Sequence, residues 1–137
     1  LRVRAVTVPH DAAEPVQFVF EDRADGSRLG VLTDTGHVTD HMVEVYAELD
    51  ALLLEFNYDG QMLENGPYPY HLKQRIAGRH GHLSNRQSLD LLQRIDRERL
   101  RRLIAAHLSE KNNAPAIVAG LLDDDALEAE GCRTHIA

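Results

Sequence analysis

The stretch GVLTDTGHV, Gly30 to Val38, runs three apolar-compatible positions into an aspartate, a glycine and a histidine. With Leu29 in front, LGVL reads as a short strand, and it stops on a carboxylate at Asp34. An ionised group at the end of a buried run is costly unless something pairs with it, so the reading of the chain turns on what meets Asp34. Upstream, VQFVF (Val16 to Phe20) is a second strand, joined to the first through the turn-forming cluster Ala24-Asp25-Gly26-Ser27 as a hairpin. Before it, Arg2 to Val8 alternates polar and apolar residues with the period of a half-buried strand and stops at Pro9.

Downstream, Thr39 is placed to cap a helix whose apolar residues Met42, Val43, Tyr46 and Leu49 recur at helical spacing. Asp50 to Glu55 (DALLLE) is apolar on both faces, as a covered parallel strand is, and closes on a second carboxylate. Asn65-Gly66-Pro67-Tyr68-Pro69 punctuates the middle, and the spacing predicts a helix over 70–76 that Gly78 and Gly81 break. Ser84-Asn85-Arg86-Gln87 fits a Ser-x-x-Gln capping box ahead of Leu89, Leu91, Leu92 and Ile95. Arg101 to Ala106 reads as a strand delivering His107. Asn112 or Asn113 then caps a helix with Pro115 in its first turn and Ile117, Val118, Leu121 and Leu122 toward the core; Gly131 ends it, and 132–137 begin another strand. The class is α/β.

A chain of 137 residues with 43% hydrophobic content fits one folded domain. Its apolar runs are too short to span a bilayer and the lone Cys132 agrees with a reducing compartment, so a cytoplasmic location is expected. The net charge of −7 is uneven: −9 over residues 1–70, +6 over 71–102 and −4 over 103–137. The central basic block, Arg79 and Arg86 included, is either a solvated face paired with nearby acids or a contact for a polyanion. Tyr68 and Tyr70 lie beside it, as packing residues at a Pro-rich turn or as surfaces for stacking bases.

Three strands stop on metal-ligand types: His10 after RVRAVTVP, Asp34 after GVLT and His107 after RRLIAA. Neutral imidazole and carboxylate suit Zn²⁺, and also Mn²⁺ or Fe, and rigid strand ends hold ligands with little mobility. His37, just beyond Gly36, is a turn histidine or part of the cleft lining. Glu55 and Asn57 follow the next strand, either to orient ligands or as solvated loop.

The ordered strings VPHDAAEPVQFVF, GVLTDTGHVTDHM, LLLEFNYD, GHLSNRQSLDLL and AHLSEKNN closely resemble metallo-β-lactamase-fold hydrolases, over nearly the whole chain. Within that superfamily the likeness is to the WalJ-type, ribonuclease Z-like branch. The resemblance implies the C-terminal half of an αββα sandwich, a mixed sheet with helices on its outer face. It also implies His10 on one metal, Asp34 bridging two, His107 on the second, and His82 beside them to help protonate a leaving group. The cofactors would be two divalent ions, Zn or Mn, and the activity a phosphodiesterase or nuclease on nucleic acid. The alternatives are a small-molecule hydrolase of the same fold or a domain that has lost its metals.

The family's other ligands come from a His-x-His-x-Asp-His motif that this sequence does not contain. Residues 1–137 are therefore expected to be the C-terminal part of one such domain, inactive alone. Its apolar sheet face would be covered by an N-terminal half or by a second copy.

Overall fold

The computed structural model describes residues 1–137 with the exception of Ala126 and Ala129. Along the chain come β1 (Arg2–Thr7), β2 (Val16–Glu21), β3 (Arg28–Leu32), α1 (Asp40–Val45), β4 (Ala51–Glu55) and α2 (Gly60–Asn65). They are followed by α3 (Tyr70–Ala77), α4 (Asn85–Arg94), β5 (Arg102–Ala106), α5 (Pro115–Asp124) and β6 (Arg133–Ile136). The six strands form one mixed sheet in sequence order. β2 runs antiparallel to β1 and β3, and β3 through β6 are parallel. Every strand except β2 therefore points the same way, and the residues that leave β1, β3, β4 and β5 gather along one sheet edge. In sheets of this kind, sites form at the carboxyl ends of the parallel strands.

The two faces of the sheet differ. Leu32, Leu52, Leu54, Leu103 and Ala105 are buried with Met42 and Val45 of α1, Leu91 and Leu92 of α4, and Val118 and Leu122 of α5. On the opposite face the register lines up Val3 with Phe20, Phe20 with Leu29, Phe18 with Val31, and Val31 with Leu53. There Val3 is 52%, Phe18 38% and Leu29 39% exposed, an apolar surface facing solvent, so within β1 only Val6 is buried and the half-buried face expected from the alternation is not realised.

Local chemistry accounts for most boundaries. The Thr39 side chain accepts from Met42 N at the start of α1, and Ser84 with Gln87 makes the full capping box of α4. Four expectations change. The first helix ends at Val45, so Leu49 reaches the core from the following turn rather than from the helix. α2 was not anticipated; its cap is Asp59, whose carboxylate accepts from Met62 N at 2.9 Å. The residue capping α5 is Ala114, not Asn112 or Asn113. Asn113 instead forms a reciprocal buried amide pair with Asn85, at 2.8 and 3.0 Å, and donates to Phe56 O, a stronger use of a buried amide than an exposed cap. Last, α5 stops at Asp124, and Gly131 with φ of +87° turns the chain into β6, well past the helix end.

Candidate metal centre

At the sheet edge the structure brings four of the singled-out side chains into one cluster: Asp34, Glu55, His82 and His107 present ligand atoms all within 4.8 Å of one another. His10 stands beside them, its Nε2 4.0 Å from Asp34 Oδ1 and its ring edge-on to His82, with centroids 5.4 Å apart. β1, β3, β4 and β5 supply His10, Asp34, Glu55 and His107, and the loop between α3 and α4 supplies His82.

The two carboxylates do different things. Glu55 is fully buried, and its Oε1 lies 2.8 Å from Nδ1 of both His82 and His107. Its other oxygen accepts from Leu83 N at 3.1 Å. Burial pushes the Glu55 carboxyl up, but hydrogen bonds from His107, His82 and Leu83 outweigh it and hold the group below its usual value. The bond to Glu55 correspondingly raises His107 above the ordinary histidine value, against the opposing effect of burial.

Asp34 makes no such bonds to the imidazoles. Its Oδ1 sits 3.6 Å from His82 Nδ1, 3.8 Å from His107 Nδ1 and 4.0 Å from His10 Nε2. Those gaps exceed a hydrogen bond. Because Nδ1 of His82 and of His107 is already bonded to Glu55, His10 Nε2 is the nitrogen of the three that could share an ion with Asp34, and its 4.0 Å gap leaves room for one bound at about 2.0–2.2 Å. The donor set of imidazole and carboxylate suits a divalent ion of the Zn or Mn kind.

Among the described residues, two of the three non-glycine residues with positive φ are in this cluster, Asp34 at 51° and His107 at 60°. Left-handed backbone costs a residue with a Cβ and persists where surrounding contacts over-determine it. Around His107, the Asn57 side-chain amide donates to His107 O at 3.0 Å. Around Asp34, Gly36 N donates to Pro9 O at 2.7 Å, and a Cβ on Gly36 would lie 2.3 Å from Arg79 C and O. The loops after β1, after β3 and before α4 thus touch backbone to backbone. His10 Nδ1 is bonded to Gly81 O at 2.9 Å, which leaves Nε2 facing Asp34.

Other singled-out residues lie outside the cluster. His37 is bonded through Nδ1 to Arg79 O at 2.9 Å and serves the loop contact. Asn57 acts on the backbone of His107. Arg79 and Arg86 are both exposed but face different clefts. Arg79 lines one of about 470 Å³ with His10, Gln74, Arg75 and His80. Arg86 lines one of about 720 Å³ with Tyr58, Ser84 and Leu89, which holds no member of the cluster. Much of the basic block is paired: Arg75 with Asp11, Arg94 with Asp40 and Asp90, Arg97 with Asp125 and Glu130, Arg99 with Asp50. Among the described residues no ion pair involves Arg79 or Arg86.

Of the two readings open for Glu55, the solvated loop is excluded by its burial, and the residue joins two of the histidines. The available signal was its place as the last residue of an otherwise apolar parallel strand. Cys132 is buried, as expected of a small apolar residue. Among the described residues no helix is long and apolar enough to cross a membrane.

Comparison with known proteins places these features. A family profile described as Beta-lactamase superfamily domain matches residues 1–108. Exodeoxyribonuclease YycJ of Bacillus anthracis is 33% identical over 131 residues, 96% of this chain and 48% of that protein. Exodeoxyribonuclease WalJ of Streptococcus pneumoniae is 36% identical over 111 residues, 81% of this chain and 40% of that protein. The chain thus spans less than half the length of the curated relatives it matches. Among solved structures, the metallo-β-lactamase fold protein YhfI from Bacillus subtilis superposes with a TM-score of 0.64 at 13% identity, over 98% of this chain and 46% of that one. Human tRNase Z, short form, gives 0.61 at 18% identity, over 98% of this chain and 39% of that one.

Proposed function

Because this chain belongs to the β-lactamase superfamily and has the metallo-β-lactamase fold, we propose that it carries part of a dinuclear phosphodiesterase centre acting on nucleic acid. The observation that carries this reading is Asp34 Oδ1 standing 4.0 Å from His10 Nε2, outside hydrogen-bond reach, with His107 held through Nδ1 by Glu55 so that its Nε2 is left for an ion. The exodeoxyribonuclease relatives support nucleic acid as the substrate.

His10, Asp34 and His107 would hold the ions, with Asp34 between two of them, and the donor set admits Zn or Mn. Held there, divalent ions would supply a water of lowered pKa and polarisation of a phosphoryl oxygen. The protein's own residues do the rest. Glu55 fixes the rings of His82 and His107 through Nδ1, so that the orientation of each is decided by a buried carboxylate rather than by solvent. His82 is the residue beside Asp34 that is left to act as general acid: protonated, it gives its Nε2 proton to the leaving oxygen while Glu55 steadies the imidazolium.

The centre is completed by residues outside 1–137, in a segment that also covers the exposed face of Val3, Phe18 and Leu29. That apolar face and the share of the relatives this chain spans support the assignment of 1–137 as the C-terminal part of one domain. An enzyme of cellular nucleic acid with one buried, unpaired cysteine belongs in the cytoplasm.

The experiment is metal analysis of the full chain together with assays on linear duplex, single strand and a cyclic phosphodiester, with Mn²⁺ or Zn²⁺ added. Asp34→Asn keeps a residue that tolerates left-handed backbone, so it should lose metal and activity while folding normally. Unchanged metal content and activity would overturn the assignment.

A further inference from the structure

Among the described residues α3 contributes none that is buried, yet it lies next to the metal centre. Its two flanks line two different depressions. On one side Gln74, Arg75 and Arg79 share a cleft with His10. On the other, Tyr70, Lys73, Gln74 and Ala77 close a cleft of about 550 Å³ against Tyr58 and Leu63. Gln74 lines both, so the width of α3 is what separates the two clefts.

The second cleft has the features of a place for a flat ring. Tyr70 is 75% exposed, more than any other large apolar side chain of the chain. Its hydroxyl accepts from Gln74 Nε2 at 2.8 Å, an i,i+4 contact that steadies the phenol at the mouth. The Lys73 ammonium donates to Glu64 O and ties α3 to the end of α2, which sets the width of the cleft. The floor is Leu63, which is buried. Of the cationic groups between this cleft and His10, Lys73 is held on a carbonyl oxygen, Arg75 is paired with Asp11, and Arg79 makes no ion pair among the described residues.

We propose that the cleft between α2 and α3 takes an unpaired base of a single-stranded nucleic acid, stacked on Tyr70, while the strand's phosphates follow Arg79 toward His10. This rests on the phosphodiesterase reading for the direction of the strand, and names the strand's first contact away from the metals. The unpaired Arg79 beside His10, the place of the cleft one helix-width from the candidate centre and the exposed aromatic ring together select a nucleic-acid strand over an apolar peptide, which would gain nothing from the arginine. A duplex end would have to fray before it could enter.

The test is fluorescence anisotropy of labelled oligonucleotides with the full chain, in chelator to prevent cleavage. Three probes are compared: a single strand, the same strand with abasic sites, and a blunt duplex. The wild type should bind the single strand better than the abasic strand. Tyr70→Ala should weaken the single strand by roughly 5- to 100-fold, the range that stacking on one aromatic ring spans, and should leave the abasic strand far less affected. Tyr70→Phe should restore binding, because it keeps the ring. Equal losses on base-bearing and abasic strands, no loss at all, or no single-strand binding by the wild type would each overturn the proposal. Hydrolysis of bis(p-nitrophenyl) phosphate by the wild type, with metal, separately tests the phosphodiesterase reading. It needs no base, so either idea can fail while the other stands.

Discussion

Replacing Glu55 by Gln changes one atom of a fully buried side chain and removes its charge. In the native arrangement Oε1 accepts from His82 Nδ1 and His107 Nδ1, each at 2.8 Å, and Oε2 accepts from Leu83 N at 3.1 Å. A glutamine has one acceptor end and one donor end. If its oxygen faces the imidazoles, the new N–H₂ points at the Leu83 N–H; if it is turned round, it points at two imidazole donors. The first orientation is the less costly, and it leaves the Leu83 N–H unpaired in the interior, at about 1–3 kcal/mol. The two remaining bonds also fall from charge-assisted to neutral, a loss of about 1 kcal/mol each. Against this stands the relief of no longer burying a charge, which takes back part of the cost. The net expectation is a destabilisation of about 2–4 kcal/mol. It is measured by urea denaturation of the metal-free full chain. Titration calorimetry with Mn²⁺ should in parallel show affinity reduced by about 10- to 100-fold, because both imidazoles lose their orienting partner. Stability within about 0.5 kcal/mol of wild type and unchanged metal affinity would refute the assignment of Glu55 as the joint between His82 and His107.

Two further outcomes follow from the loop packing and from the separation of the arginines. Gly36→Ala would set a Cβ 2.3 Å from Arg79 C and O and 2.6 Å from Gly81 N, all backbone atoms that cannot rotate away. It should destabilise by about 3 kcal/mol, the upper part of the range for overpacking, and a loss under about 1 kcal/mol would mean that the two loops part freely. Arg79→Ala should reduce the slope of log affinity against log salt for single-stranded DNA by about 0.7, one released counterion, whereas Arg86→Ala, in the cleft without ligands, should reduce it less. Equal reductions would count against a strand path past His10.

Much of this arrangement was legible because each contributing strand announces its end with a polar residue. The alternation of β1, the turn before β3 and the capping box at Ser84 placed the elements, and the parallel order then brought His10, Asp34 and His107 to one edge. Charge was a poorer guide. The excess of arginine over 71–102 looks like one patch in sequence, but Arg75, Arg94, Arg97 and Arg99 each find a carboxylate from a distant part of the chain. Pairings across long sequence separations leave no local pattern. Asn113 misled for the same reason: its residue type and position suit a helix cap, while its actual partner, Asn85, is 28 residues away.

The least legible feature is also the one that bears most on the chemistry. Nothing in the strings TDTG and AHLS states that Asp34 and His107 take left-handed backbone, although Asp and His are among the residues that tolerate it best. Continued regularly, the register would set Asp34 and His107 level with Phe56, on the sheet face opposite Glu55. The left-handed residue breaks that alternation just beyond the last ladder bond, so Asp34 and His107 can both turn in toward Glu55 and His82. Each such residue costs about 1–3 kcal/mol. The compensating contacts are specific: the Asn57 amide on His107 O, and the Gly36 backbone on Pro9 and against Arg79. Asn57 and Gly36 therefore matter through the conformation of their neighbours rather than by reaching the centre themselves. The same logic explains why Glu55 needs no left-handed turn. It is the last residue of a ladder-paired strand, opposite Ala106, and so reaches both histidines from regular β backbone.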